Sequence, residues 1–211
     1  MDNFNKTIYF DKAPHISKVK SKKKQIVLLN TSSVLKDHLT GLQLRFDKKY
    51  DRIPTFTISR SGEIYQHFNP IHSSNVIGIP DIDKQAITIA LENVGWLNYD
   101  PDKHIYTDWK DNVYKNPVMD MNWRGKRFWA IYSNEQLNAL IDLIDYLCIG
   151  YSIEKTFIGS NIIIVKSKNF KGILNRSNFS KNHFDLSPAM NFEELTKRLN
   201  KEENVYKQPS E

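Results

Sequence analysis

Short apolar segments that alternate with helical patterns constrain the fold of this chain more than any other feature. Residues 26–29 (IVLL) and residues 86–91 (AITIAL) have the length and the composition of buried strands. Ser133 and Gln136 form a capping box, and the apolar residues that follow recur at helical spacing as far as Cys148. The alternation predicts an α/β fold, with a single domain built on a mixed central β-sheet flanked by helices.

The chain length fits one domain with a well-buried core. With 211 residues, the chain needs no second domain to bury its apolar side chains. We expect a basic N-terminal extension over residues 1–24, a folded domain over residues 25–200 and a flexible charged tail over residues 201–211. Residues 97–132 show little regular periodicity, so this long insertion is predicted to have either a function or structure of its own.

Aromatic residues concentrate in and beside this insertion, and all four tryptophans lie there: Trp96, Trp109, Trp123 and Trp129. Aromatic side chains at this density are suited to line a groove for sugar rings or for a protein partner. The alternative is that they only pin a long loop onto the domain. The sequence leaves both interpretations open.

The net charge of +6 and the pI near 9.2 favour contact with anionic partners, either nucleic acid or an acidic polymer. Much of the excess lies in one lysine run: Lys18, Lys20, Lys22, Lys23 and Lys24. We interpret the run as a solvated lead-in to the first strand. It contains no aromatic residues on which bases could stack, so we expect no nucleic-acid partner.

The single cysteine, Cys148, excludes an internal disulfide and is predicted to be a small core residue. No apolar run approaches the roughly 18–20 residues that cross a bilayer, so no membrane partner is expected. Residues 1–6 lack the apolar core of a signal peptide. We therefore expect synthesis in the cytoplasm, with association with a virion as one route to the outside.

Four stretches, in their order along the chain, resemble the type 2 N-acetylmuramoyl-L-alanine amidase family. That family includes phage lysozyme-type amidases and peptidoglycan recognition proteins. The stretches are residues 26–32 (IVLLNTS), 56–66 (FTISRSGEIYQ), 87–95 (ITIALENVG) and 172–180 (GILNRSNFS), the last followed by 185–188 (DLSP). The resemblance covers roughly residues 25–200 and implies an amidase-like fold for them.

The same resemblance implies where a metal site would lie. In the family, two histidines and one Asp or Cys bind a zinc ion that polarises the muramoyl–alanine amide and activates water. These ligands fall on Asn30, Arg176 and Asp185, so only the third is retained. The tyrosine and the glutamate that assist catalysis in many members fall near Pro54 and on Ala90. The resemblance therefore implies that zinc is lost, and we expect no metal and no cofactor.

Arg176 is the decisive departure from the family pattern. Its guanidinium stays protonated and offers only donors, so it cannot be a ligand of a cation. A buried Asp185 without a metal needs a compensating charge, and Arg176 is placed to supply it. We predict that an Arg176–Asp185 pair fills the position of the zinc, with Asn30 adding a hydrogen bond.

The leading functional interpretation is a catalytically degenerate amidase-like domain. It would bind a peptidoglycan fragment or serve as a structural part of an assembly, such as a phage virion. Its groove is predicted to be lined by His72, Asn75, Trp96, Trp109, Trp123, Trp129 and His183.

Two alternatives remain. The first is an active peptidoglycan amidase with a rearranged zinc site, for which His67, His72 and His183 are the candidate ligands. The second is a module that binds an anionic polymer or nucleic acid through the lysine run.

Overall fold

The computed structural model describes residues 4–5, 10, 12–13, 16–44, 52–164 and 166–201. Within that part of the chain, two β-sheets and four α-helices form the fold. The helices are α1 (Leu35–Leu44), α2 (Pro80–Gln85), α3 (Asn134–Tyr151) and α4 (Phe192–Lys201). In the described ranges, no helix combines the length and the apolar character needed to cross a membrane.

The central sheet has six strands in the order β1-β4-β3-β5-β2-β11. They are β1 (Phe4–Asn5), β2 (Gln25–Asn30), β3 (Phe56–Ile58), β4 (Ile64–Gln66), β5 (Ala86–Leu91) and β11 (Gly172–Asn175). Strands β3, β5, β2 and β11 run parallel to one another, whereas β4 is antiparallel to β3. The sheet is therefore mixed, and the predicted α/β class is confirmed.

The core lies on both faces of this sheet, because successive residues of a strand point to opposite sides. Ile26 and Leu28 of β2 face the large cluster that contains the apolar side of α3. Val27 and Leu29 face a smaller cluster on the other side. Ser133 caps α3 as predicted, since its side chain accepts a hydrogen bond from the backbone N–H of Gln136 at 3.2 Å.

The segment before β2 is packed into the domain. Phe10, Ala13 and Ile16 are buried in a cluster with Leu42 and Phe68, among others. The described part of residues 1–24, which we predicted as a basic extension, thus contributes to the core.

Lys23 departs from the solvated run that the sequence predicts. Its side chain is buried, and its Nζ donates to the carbonyl oxygens of His72 at 2.7 Å and Lys84 at 2.8 Å. Burial lowers the pKa of Lys23 to about 8, although the carboxylate of Asp83 partly opposes this shift. Its neighbours Lys22 and Lys24 are exposed, as expected.

Residues 97–132 form a second sheet, which is antiparallel and has five strands in the order β8-β7-β6-β10-β9. They are β6 (Trp96–Asp100), β7 (Ile105–Thr107), β8 (Val113–Tyr114), β9 (Val118–Trp123) and β10 (Lys126–Ala130). The insertion therefore has structure of its own and is not an irregular loop. The predicted tail, residues 201–211, lies outside the described residues except for Lys201, which ends α4.

Candidate functional site

The candidate site lies where two neighbouring parallel strands end. Asn30 is the last residue of β2, and Arg176 directly follows β11, which pairs with β2. Because parallel strands present their carboxyl ends at the same edge of a sheet, the two side chains meet there. Asp185 reaches the same edge from the segment that follows β11.

An ion pair occupies the centre of the site. Arg176 donates from Nε to Oδ2 of Asp185 at 2.7 Å, and the backbone N–H of Asn30 donates to Oδ1 at 2.7 Å. Asp185 is only 2% exposed, so both oxygens of a buried carboxylate are satisfied. The predicted ion pair is confirmed, and the hydrogen bond from Asn30 comes from its backbone rather than its side chain.

Tyr132 holds the side chain of Asn30. The Tyr132 hydroxyl donates to Oδ1 of Asn30 at 2.8 Å and accepts from the backbone N–H of Ser187 at 3.2 Å. Burial raises the pKa of Tyr132 to about 12, so the phenol stays protonated and keeps its donor role at neutral pH. Sequence reasoning missed this contact, because Tyr132 is distant from Asn30 along the chain.

Two grooves meet at Asn30 and Arg176. The larger, of about 380 Å³, extends along the loop after β2 and is walled by His38, Arg52 and Pro54, among others. The smaller, of about 180 Å³, runs along residues 94–96 and residues 182–185. We call the two grooves together the cleft.

The turn between β7 and β8 separates the two grooves. Trp109 in this turn donates from its indole N–H to the carbonyl of Ser32 at 2.6 Å. The next residue, Lys110, forms an ion pair of 3.1 Å with Asp37 of α1. These contacts tie the second sheet to the loop after β2, and they leave the Trp109 side chain 52% exposed in the wall of both grooves.

No protein-family model and no curated protein matches this chain. Solved amidase structures do match it. AmiD from E. coli, solved with anhydro-N-acetylmuramic acid-L-Ala-D-gamma-Glu-L-Lys as substrate, superposes with a TM-score of 0.57 at 14% identity. That match covers 86% of this chain and 59% of AmiD, so this chain spans less than two thirds of AmiD.

Two Clostridium intestinale amidases match over nearly their whole length. LysC has a TM-score of 0.54 at 14% identity, covering 93% of this chain and 95% of its own. LysCS has a TM-score of 0.53 at 16% identity, covering 95% and 97%. This chain has the amidase fold. At these identities the likeness establishes the fold alone, and it confirms the fold that the four sequence stretches imply.

The residues at the positions where the sequence resemblance puts the zinc ligands do not fit zinc. Asp185 alone offers a ligand group, and both its oxygens already accept hydrogen bonds. The cationic guanidinium of Arg176 stands where a ligand would have to donate electrons. Elsewhere in the described ranges, no three His, Cys, Asp or Glu side chains converge in a way that could hold a metal.

The amidase fold brings only part of the predicted groove together. Trp96, Trp109 and His183 line the cleft with Asn30 and Arg176. His72, Asn75, Trp123 and Trp129 do not line either groove.

Three of these absences have a local reason. Trp129 is fully buried in the core, and its N–H donates to the carbonyl of Met121 at 2.7 Å. Trp123 packs against Trp129, with the ring centroids 5.4 Å apart. The backbone of His72 is held by Lys23, on a loop that enters neither groove.

Arg124 positions the segment that carries Asp185. From the turn between β9 and β10, its guanidinium donates to the carbonyls of Ser177, Ser180, His183 and Asn161. Because one rigid cation gathers four carbonyls, the loop from residue 177 to residue 185 is held against the second sheet. The sequence gives no signal for this role, since Arg124 lies far from the motifs.

The cleft is electropositive around His183. Burial lowers the pKa of His183, and the cation of Arg176 lowers it further, although Asp185 acts in the opposite direction. Arg52 and Arg124 add to the same depression. The same three arginine cations favour an anion in this part of the cleft.

Proposed function

We propose that this chain is a catalytically inactive protein of the amidase fold that binds a peptidoglycan fragment in the cleft. The observation that carries the proposal is the Arg176–Asp185 ion pair of 2.7 Å, at the positions where the resemblance puts two zinc ligands. A cationic donor in that place cannot polarise an amide as a Lewis acid and cannot generate a metal-bound hydroxide.

The assisting groups are also replaced. Pro54 lies in the groove wall near the position that the resemblance gives to a tyrosine, and it has no side-chain donor. Ala90, at the position of the glutamate, is a buried core residue of β5. Neither residue can transfer a proton, so the proposal is binding without turnover.

The remaining cleft is suited to a sugar-containing ligand. Trp109 exposes about half of its side chain between the two grooves, and polar residues 30–33 form the adjoining wall. An exposed indole offers an apolar face for a sugar ring, while the neighbouring hydroxyl groups can exchange hydrogen bonds with its substituents. AmiD, which shares the fold, was solved with a muropeptide substrate.

A second candidate function is a structural role in an assembly, such as a virion. Tyr146 and Ile149, three residues apart on α3, are 51% and 83% exposed. Residues at this spacing are neighbours on a helix surface. They give a protein partner an apolar contact that is separate from the cleft residues.

The first experiment measures zinc in the purified chain by mass spectrometry and peptide release from a muropeptide, with and without added zinc. We expect no stoichiometric zinc and no release, together with muropeptide binding in calorimetry. Stoichiometric zinc with turnover would instead establish the rearranged-site amidase.

Matched variants test whether the muropeptide binds in the cleft. Trp109→Ala is expected to weaken muropeptide binding about tenfold, because the stacking face is lost. Tyr146→Ala removes an aromatic residue of similar exposure on α3 and should leave the affinity unchanged. Salt dependence tests the polymer alternative, which requires a steep loss of binding with rising salt and no effect of Trp109→Ala.

A further inference from the structure

Arg176 has donors that the ion pair does not use. Its Nε–H bonds to Asp185, whereas a guanidinium carries four further N–H groups on its two terminal nitrogens. Within the residues that the structure describes, no oxygen accepts a hydrogen bond from Nη1 or Nη2 of Arg176. The side chain is 17% exposed and lines both grooves, so these donors are accessible from the cleft.

The carboxylates that line the cleft are already paired. Asp37 is paired with Lys110, and Asp185 is paired with Arg176. Arg52 adds a further cation to the wall of the larger groove. The surroundings of Arg176 therefore favour an anionic group from outside the chain.

We propose that the cleft recognises its ligand through a carboxylate that pairs with the two terminal nitrogens of Arg176. The planar fork of a guanidinium matches a carboxylate with two parallel hydrogen bonds, and it matches an uncharged amide less well. This inference rests on the proposed function in taking the ligand to be a peptidoglycan fragment. It adds which chemical group of the fragment is bound, and by which residue.

A peptidoglycan fragment has two sources of a carboxylate. The lactyl group of N-acetylmuramic acid is an amide when a peptide is attached and a free carboxylate when the peptide has been removed. A stem peptide carries carboxylates of its own. The lactyl carboxylate and the peptide carboxylates would bind Arg176 through the same chemical group. Measuring the sugar acid and the peptide as separate ligands tells the two sources apart.

The experiment compares ligands by calorimetry on the full chain. N-acetylmuramic acid is compared with N-acetylglucosamine, which has the same sugar ring without the lactyl carboxylate. The tripeptide L-Ala-D-γ-Glu-L-Lys is compared with its fully amidated form. We expect at least one acid to bind about tenfold or more tightly than its partner without carboxylates, and that pair identifies the source.

Variants test the role of Arg176. Arg176→Gln combined with Asp185→Asn replaces the ion pair by an uncharged amide pair, so no charge is left unpaired, and it should abolish the preference for the acid. Arg176→Lys keeps the charge without the fork and should retain part of the preference. Arg127→Gln with Asp120→Asn removes an exposed arginine–aspartate pair on the second sheet and should change nothing.

Equal affinity for the acids and for their partners without carboxylates would overturn the inference, as would an unchanged preference in the folded Arg176→Gln/Asp185→Asn variant. If the intact muropeptide binds without any such preference, the inference fails while the proposed function stands. If no peptidoglycan fragment binds at all, the proposed function fails with it.

Discussion

Arg176 is the residue on which the stability of the site depends most directly. It supplies the charge that compensates Asp185, whose side chain is 3% exposed. Arg176→Met leaves that carboxylate unpaired and should lower the free energy of unfolding by about 3 kcal/mol in urea titrations. The Arg176→Gln/Asp185→Asn variant should lose about 1 kcal/mol. Equal losses of unfolding free energy in the two variants would show that the charge of Arg176 does not stabilise the carboxylate of Asp185.

A second substitution tests whether Asn30 and Arg176 occupy metal-ligand positions. Asn30→His with Arg176→His places two imidazoles beside the carboxylate of Asp185, which is a common zinc ligand set. We expect one zinc per chain by mass spectrometry, without turnover, because Pro54 and Ala90 supply no assisting group. Asn30→His with Arg176→Gln, which lacks the second imidazole, is the control. Absence of zinc from the double-histidine variant would show that the positions do not correspond.

Lys23, which does not line the cleft, should make the free energy of unfolding depend on pH. Its pKa is about 8 when folded and 10.5 ordinarily, so between these values the unfolded chain binds more protons than the folded one. The free energy of unfolding of the native chain should therefore rise with pH in that window, relative to Lys23→Met. The rise should reach up to about 1.4 kcal/mol per pH unit. A constant difference between the two proteins from pH 7 to 10 would contradict this.

At the scale of elements, the sequence predicts strands and helices only where one face or both are continuously apolar. Strands β2 and β5 are buried along their whole length, and α3 has a regular apolar face. The sequence pattern therefore predicts these two strands and this helix. Strands β6 to β10 have two to six residues with mostly exposed or half-exposed side chains, so no pattern marks them.

Apolar runs can also mislead. The apolar run of residues 162–165 (IIIV) has the composition of a buried strand or a core segment, yet Ile162 and Ile163 are 61% and 50% exposed. Val165 lies outside the described residues. The burial of Trp129 was equally hidden, because Phe184, one of the rings packed against it, is distant in the chain.

Arg124, in the turn between β9 and β10, should keep the loop that carries Asp185 in a fixed conformation. Arg124→Ala removes a charged donor from four carbonyls, and it should speed hydrogen exchange of the Ser177 amide, which donates to the carbonyl of Asp185, by about tenfold or more. Arg127→Ala, in the next strand, removes an exposed arginine of the same sheet and serves as the control. Equal exchange rates in both variants would exclude the positioning role.

Across the whole molecule, the order of motifs was enough to predict that Asn30, Arg176 and Asp185 meet. The predicted groove residues Trp96, Trp109 and His183 also line the cleft. The roles of Arg124 and Tyr132 could not be predicted, because these residues reach the site through tertiary contacts that leave no spacing in the sequence.

The stability of the whole chain should not depend on a divalent metal. The ion pair holds the carboxyl edge of the sheet without one, so treatment with a chelator should leave the thermal midpoint unchanged in calorimetry. A muropeptide should raise the midpoint in proportion to the logarithm of its concentration above Kd. A fall in the midpoint after chelation, reversed by zinc, would contradict the assignment of the site.

The position of Trp109 gives the chain an optical reporter of its own cleft. Its indole is about half exposed in the same groove as the cation of Arg52, whereas Trp129 is shielded completely. Iodide, an anion, should therefore quench the intrinsic fluorescence more strongly than caesium, a cation, because the local charge concentrates it near the ring. A ligand bound in the cleft should protect that part of the emission.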